Sequence, residues 1–246
     1  MAGDVRDPDS LAQAMSGVRT IISAVHGLVG SGGVTPATVD RDGNRNLVDV
    51  AAAGSAEVIL MSTIGAAPDH QMELFRMKWA AEEHLRGSGL AWTIVRSSAF
   101  AETWIELLRQ TAGTSGRPRV FGNGNNPINF VCVQDVADAV VRATLDPALR
   151  GHVIEVGGPG NLTLNQLARL VQVSTGASKP LRHVPRPALR AMGIVARPFN
   201  ATMARLARAS VAMDTCDLTF DPEASIRAYP WLSCSPIEAH GVLAGH

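Results

Sequence analysis

Short apolar, β-branched runs alternate with stretches of helical spacing along the first half of the chain. Residues 19–25 (Arg-Thr-Ile-Ile-Ser-Ala-Val) read as a buried strand, and residues 9–15 ahead of them read as a short helix with an acidic cap. A glycine-rich loop from Gly27 to Gly33 follows. Next come a helix over about 38–53 carrying Val39, Asn46, Leu47 and Val50, a strand over 57–63, a helix over 72–86 stopped by Gly87, and a strand over 91–96. Strand and helix alternating at this spacing predict a parallel α/β sheet with right-handed crossovers.

Beyond Phe100 the pattern loosens. Residues 128–133 and 152–156 are expected strands, and Asp135 with Asp138 is expected to cap the helix between them. Thr163 with Gln166 forms a second capping-box signature, and Leu167, Leu170 and Val171 mark the buried face of its helix as far as Gly176. Pro180, Pro185, Pro187 and Pro198 cut the tail into short basic helices. The expected fold is α/β, a doubly wound parallel sheet of Rossmann type that lacks its N-terminal part. Domain 1–150 is expected to bind dinucleotide, and 151–246 to form a smaller, mostly helical subdomain interwoven with it.

Composition narrows the function. An apolar content of 46% fills a real core, while the longest apolar runs fall far short of the roughly 20 residues of a membrane span. Asp4, Arg6, Asp7 and Asp9 stand where a signal peptide would be apolar. Cys132, Cys216 and Cys234 have neither metal nor redox spacing, which fits a reducing cytoplasm. Lysine plus arginine equals aspartate plus glutamate at 22 each, yet no acid occurs between Val156 and Met213, where eight basic residues lie. That block is either a basic subdomain docked on an acidic one or a surface for a protein partner or an anionic layer. The basic residues are not interleaved with aromatics, which argues against nucleic acid.

The loop Gly27–Gly33 follows a strand as a phosphate cradle would, but Val34-Thr35-Pro36-Ala37 intervenes before helical sequence begins. A cradle instead opens a helix directly from its last glycine, so that free N–H groups and the dipole meet the phosphate. The acid expected about 20 residues further on would be Asp49, which is mid-helix rather than at a strand end. Nothing before Arg19 could supply the usual strand, glycine turn and helix.

In combination, several stretches resemble the atypical short-chain dehydrogenase/reductase superfamily and its NmrA-like NAD(P)-binding group. They are Gly3-Asp4-Val5-Arg6-Asp7 (as the end of a strand), Asn44-Arg45-Asn46-Leu47, Met61-Ser62-Thr63, Lys78 with Ala81-Glu82 and Leu85, residues 88–96, Val133-Gln134-Asp135-Val136-Ala137, and residues 162–168. The resemblance implies NADP or NAD as cofactor and a small carbonyl, quinone or similar acceptor. It puts Asp4 and Val5 beside the adenine, and Ala24, Val25 and His26 toward the ribose and nicotinamide. Ser62, Thr63 and Lys78 would lie by the reactive ring as catalytic residues. Ser97, Ser98 and Phe100 would cover the nicotinamide.

Two departures bear on activity. The family's commoner enzymes carry a tyrosine four residues before the lysine; here that position is Leu74, and the one tyrosine is Tyr229. Lys78 then either binds ribose, donates a proton itself, or is a solvent-facing helix lysine. The second departure is the missing glycine-rich unit, about 50 residues in such a βαβ motif. It implies a start codon set too far downstream or a decayed fragment, and weak cofactor binding. A hydride-transferring reductase, a non-catalytic NAD(P)-sensing regulator and an inactive fragment all remain open at this point.

Overall fold

The computed structural model describes residues 3–30, 32–174, 176 and 179–237. In chain order the elements are α1 (Pro8–Ala14), β1 (Thr20–Ser23), a π-helical turn (Pro36–Arg41) leading into α2 (Asp42–Gly54), β2 (Glu57–Thr63), α3 (Glu73–Arg86), β3 (Trp92–Ser97), β4 (Ala99–Phe100) and α4 (Ala101–Ala112). There follow β5 (Arg119–Phe121), β6 (Pro127–Val131), α5 (Val133–Leu145), β7 (Val153–Val156), β8 (Asn161–Thr163), α6 (Leu164–Ser174), β9 (Arg182–Val184), α7 (Arg186–Val195), α8 (Ala201–Met213) and α9 (Glu223–Ala228). Two compact units result: Met1–Arg96 with Asp138–Glu155, and Ser97–Ala137 with Val156–His246. No helix among the described residues is long and apolar enough to cross a membrane.

The first unit is built on a four-stranded sheet of order β1-β2-β3-β7, with β1 parallel to β2 and Thr20 opposite Glu57. Val58, Ile59 and Leu60 are consecutive and all fully buried, so both faces of β2 are covered, as a continuous apolar run in a parallel sheet requires. Leu47, Val48 and Ala51 of α2 pack into this core together with Ala81 and Leu85 of α3. On α3 the buried positions are Phe75, Lys78, Ala81, Glu82 and Leu85, so helical spacing puts two charged side chains on the inward stripe. Each must find partners there. Glu82 does so by accepting from the Ser62 hydroxyl at 2.5 Å, from Arg96 Nε at 2.9 Å and Nη2 at 2.7 Å, and from Arg86 Nη2 at 2.9 Å.

Two expectations are corrected. Residues 3–7 are not a strand end. The Asp7 N–H closes a turn onto the Asp4 carbonyl at 2.9 Å, and the Asp7 carboxylate caps α1 with Pro8 in its first turn. Local side-chain bonds from aspartates favour a turn over an extended ladder. Nor does Asp135 cap its helix, because α5 begins at Val133 and the Asp135 carboxylate instead accepts from both N and Oγ of Ser235, each at 2.8 Å. By contrast, the Thr163–Gln166 box forms in both directions, at 2.8 Å and 3.1 Å.

In the second unit β4, β6 and β8 form one sheet and β5 pairs with β9 in parallel. Its polar anchor is Asp214, whose buried carboxylate accepts the N–H groups of Asn123 and Gly124 at 2.8 Å each and the guanidinium of Arg186. Gly122 is required beside it: its φ is +83°, and a Cβ there would stand 2.2 Å from Asp214 Oδ2.

β1 is an edge strand, and Ile22 on it is half exposed. Edge strands with outward apolar side chains promote self-association. Ile22→Lys is expected to suppress concentration-dependent light scattering while shifting stability by no more than about 1 kcal/mol, the range for exposed substitutions. Equal scattering by both proteins would place the association surface elsewhere.

Candidate functional site

The carboxyl ends of β1 and β2 are tied together by one side chain. Lys78 reaches up from α3, and its ammonium donates to the Val25 carbonyl at 2.8 Å and the Met61 carbonyl at 3.1 Å, while Asp40 Oδ1 lies 3.0 Å away. A lysine ammonium has three N–H bonds, and three acceptors surround it. Asp40 is completely buried, and its Oδ2 accepts the Gly27 N–H at 2.7 Å. Asn44 extends the network: its amide donates to the Asp40 carbonyl at 2.8 Å, and its Oδ1 lies 2.5 Å from the Ser23 hydroxyl. Asp40 sits in the π-helical turn, a local widening that is often found at functional sites.

The reading of Lys78 as a solvent-facing helix residue is thus corrected, since it is buried and paired. Among the other expected site residues, Ser62 is buried with its hydroxyl given to Glu82. Thr63 is half-buried, with a 3.4 Å contact to the Ile64 carbonyl. Ala24 and His26 are exposed and Val25 is half-buried. Val5 is half-buried against α2, where a Cβ on Gly43 would meet its side chain at 2.7 Å, and its carbonyl accepts from Asn46 at 3.0 Å. Asp4 is exposed, and its carboxylate is gripped by Arg6, whose Nη2 lies 2.6 Å away. Arg6 also donates to the Gly32 carbonyl at 2.8 Å, joining this turn to the glycine loop. In the second unit, Ser97 is buried, Phe100 is half-buried at the start of α4, and the Ser98 Oγ is buried without a hydrogen-bond partner.

Residue-by-residue reading missed Asp40, Asn44 and His70. The signal for a partner to Lys78 was present in α3, because a lysine in register with Phe75, Ala81 and Leu85 demands a buried anion. His70 stacks on Phe75 at 4.1 Å in the loop after β2, and its Nδ1 accepts the Met72 N–H at 3.1 Å. Burial lowers its pKa below the ordinary histidine value, so the ring stays neutral near pH 7.

The loop Gly27–Gly33 does not open a helix. The following helical turn begins at Pro36, which has no N–H, and Thr35 and Thr38 cap each other reciprocally. The Thr35, Thr38 and Val39 amides are thereby bonded within the turn.

Residues 1–147 match the model of a family described as NAD(P)H-binding. The chain belongs to that family. It is 26% identical over 185 residues to an NAD(P)H azoreductase of Xenophilus azovorans, covering 74% of this chain and 60% of that protein. Identity to a phenylcoumaran benzylic ether reductase of Pinus taeda is 25% over 213 residues, covering 82% of this chain and 65% of the relative. The chain thus spans less than two thirds of these relatives. Its fold is that of an NADPH-dependent quinone oxidoreductase of Escherichia coli, solved with NADPH (TM-score 0.72, 21% identity, 98% of this chain and 81% of that one). It is also that of a Citrobacter triphenylmethane reductase complexed with NADP(H) (TM-score 0.72, 15% identity, 96% and 79% covered). As a member of the NAD(P)H-binding family, the chain has the Rossmann-type α/β fold that the strand and helix pattern predicts.

Two measurements check the geometry. Lys78→Ala strands the buried Asp40 charge and is expected to cost about 3–5 kcal/mol in denaturant unfolding, whereas Asp40→Leu with Lys78→Met is expected to recover most of it. A single variant as stable as wild type would show the pair to be solvated. The hydrogen bonds from Arg6 hold the Asp4 pKa down at about 2, against an ordinary 3.8. Because the folded value is depressed, the pair's contribution is complete above 3.8 and is lost as pH falls toward about 2. Carboxyl NMR titration should show that midpoint and its return toward 3.8 in Arg6→Ala.

Proposed function

We propose that this chain is an NAD(P)H-dependent reductase of the atypical short-chain type, acting on a small carbonyl, quinone or similarly electron-poor acceptor. The observation that carries the reading is the clamp of Lys78 on Val25 and Met61. It fixes the carboxyl ends of two adjacent strands, where ligands bind in open α/β sheets, and leaves Ala24 and His26 open to a ligand. The kinship with an azoreductase and a benzylic ether reductase supports it. When bound, a nicotinamide supplies hydride.

Each unit, taken by itself, carries residues that fit a nicotinamide cofactor. Ser98 offers a buried hydroxyl with no protein partner, the condition of a group that awaits a ligand's hydrogen bond. Ala24 and His26 line the open end of β1, and Thr63 keeps a hydroxyl only weakly engaged. Lys78 acts by position: its ammonium holds the strand ends through the Val25 and Met61 carbonyls and is paired with the Asp40 carboxylate. Ser62, committed to Glu82, supports the sheet in the same way. The loop Gly27–Gly33 does not open a helix onto the pyrophosphate end.

Consumption of NADPH should depend on added quinone or azo acceptor, and Ser98→Ala should raise the KM for NADPH about fivefold, the worth of one hydrogen bond of about 1 kcal/mol. Saturable NADPH binding with no acceptor reduced would favour a sensing regulator instead. Absence of both binding and turnover would remove the reductase reading.

A further inference from the structure

The helix pair α7 and α8 is built inside out. Its inner face is small: Gly193, Ala204 and Ala207 are buried with Leu189, and a Cβ on Gly193 would lie 3.1 Å from Arg208 Cγ. The large apolar side chains point away from that contact. Phe199, on the link between the two helices, is 88% exposed, Ile194 is 75% exposed, and Val195, Met203 and Leu206 are exposed beside them. Helical spacing puts Met203 and Leu206, three residues apart, on one side of α8, and Phe199 precedes that helix by two positions. A helix hairpin in water normally does the reverse, with large apolar groups inside and polar groups outside. Exposed large apolar side chains gathered on one helix hairpin mark a docking surface.

The rim of the patch identifies the occupant. Arg190, Arg197 and Arg208 are exposed around it, and no acidic residue occurs in the sequence from Val156 to Met213. Exposed apolar side chains on a hairpin whose only charged residues up to Met213 are arginines are complementary to an anionic lipid surface, in which acyl chains take the apolar groups and headgroup phosphates take the guanidiniums. A second copy docked by two-fold symmetry would instead set one arginine-bearing hairpin against another, with like charges brought together. We infer that the α7–α8 hairpin docks this protein on anionic phospholipid bilayers, with Phe199 and Ile194 inserted at the interface and Arg190 and Arg197 on the headgroups. This surface is independent of the reductase reading.

The test is co-sedimentation of the whole chain with vesicles of phosphatidylcholine alone or mixed with phosphatidylglycerol. Binding is expected only to the mixed vesicles, and is expected to be lost near 1 M salt, where the screening length falls to about 3 Å. Arg190→Gln and Arg197→Gln should each lower the partition coefficient about fivefold. Phe199→Ser with Ile194→Ser should abolish binding without moving the thermal melt, since neither side chain is in the core. Failure to sediment with either vesicle, equal binding to both, or full binding by the Phe199/Ile194 variant would overturn the inference. A wild-type dimer on size exclusion that Phe199→Ser makes monomeric would overturn it in favour of a second copy.

Discussion

A lysine that cannot be left in water or left alone organises the first unit. α3 needs its inward stripe to pack on the sheet, and Lys78 lies on that stripe, so its charge must be neutralised inside the protein. The solution draws Asp40 out of the π-helical turn, the Val25 carbonyl from the end of β1 and the Met61 carbonyl from β2 onto one ammonium. Desolvating two such charges is costly, and their attraction repays it only when the remaining polar atoms are satisfied. The Gly27 amide on Asp40 Oδ2 and Asn44 on the Asp40 carbonyl satisfy two of these atoms, while Oδ1 has the ammonium 3.0 Å away. The same bonds set the course of the backbone where the chain leaves β1.

Glu82 is the counterpart one turn along the same helix. It takes hydrogen bonds from Ser62, Arg86 and Arg96, and Arg96 reaches on to Glu155 at 3.3 Å. Two buried charges of opposite sign, four residues apart, thus secure α3 to the strands beneath it by directional contacts as well as by apolar burial. A helix fixed this way has one register on its sheet, because a shift by one residue would leave both charges unpartnered.

The fold was legible because it is periodic. β2 and its flanking helices carry patterns that only a buried parallel strand and amphipathic helices satisfy, and the Thr163–Gln166 box forms as its residue types require. What was hidden was everything decided by distant partners. Asp40 looks like any helix aspartate until Lys78, 38 positions later in the sequence, is brought beneath it. Ser62 reads as a substrate-facing hydroxyl until Glu82 claims it, and Asp135 reads as a cap until Ser235 does. Residues 3–7 read as a strand by resemblance, but local aspartate and proline chemistry closes them into a turn and a helix cap. The apolar tip of the α7–α8 hairpin was equally invisible, because small and large residues look alike in an apolar count and only packing shows which side each takes.

Amide exchange at Gly27 tests the clamp most directly. Its N–H lies at the start of the loop that follows β1, and without Asp40 it would exchange as fast as an unbonded loop amide. If the Lys78–Asp40 pair holds the end of β1, the Gly27 amide will be protected to a degree comparable with β2, and Lys78→Met will erase that protection while the β2 amides stay slow. Rapid exchange at Gly27 in the wild-type protein would contradict the account.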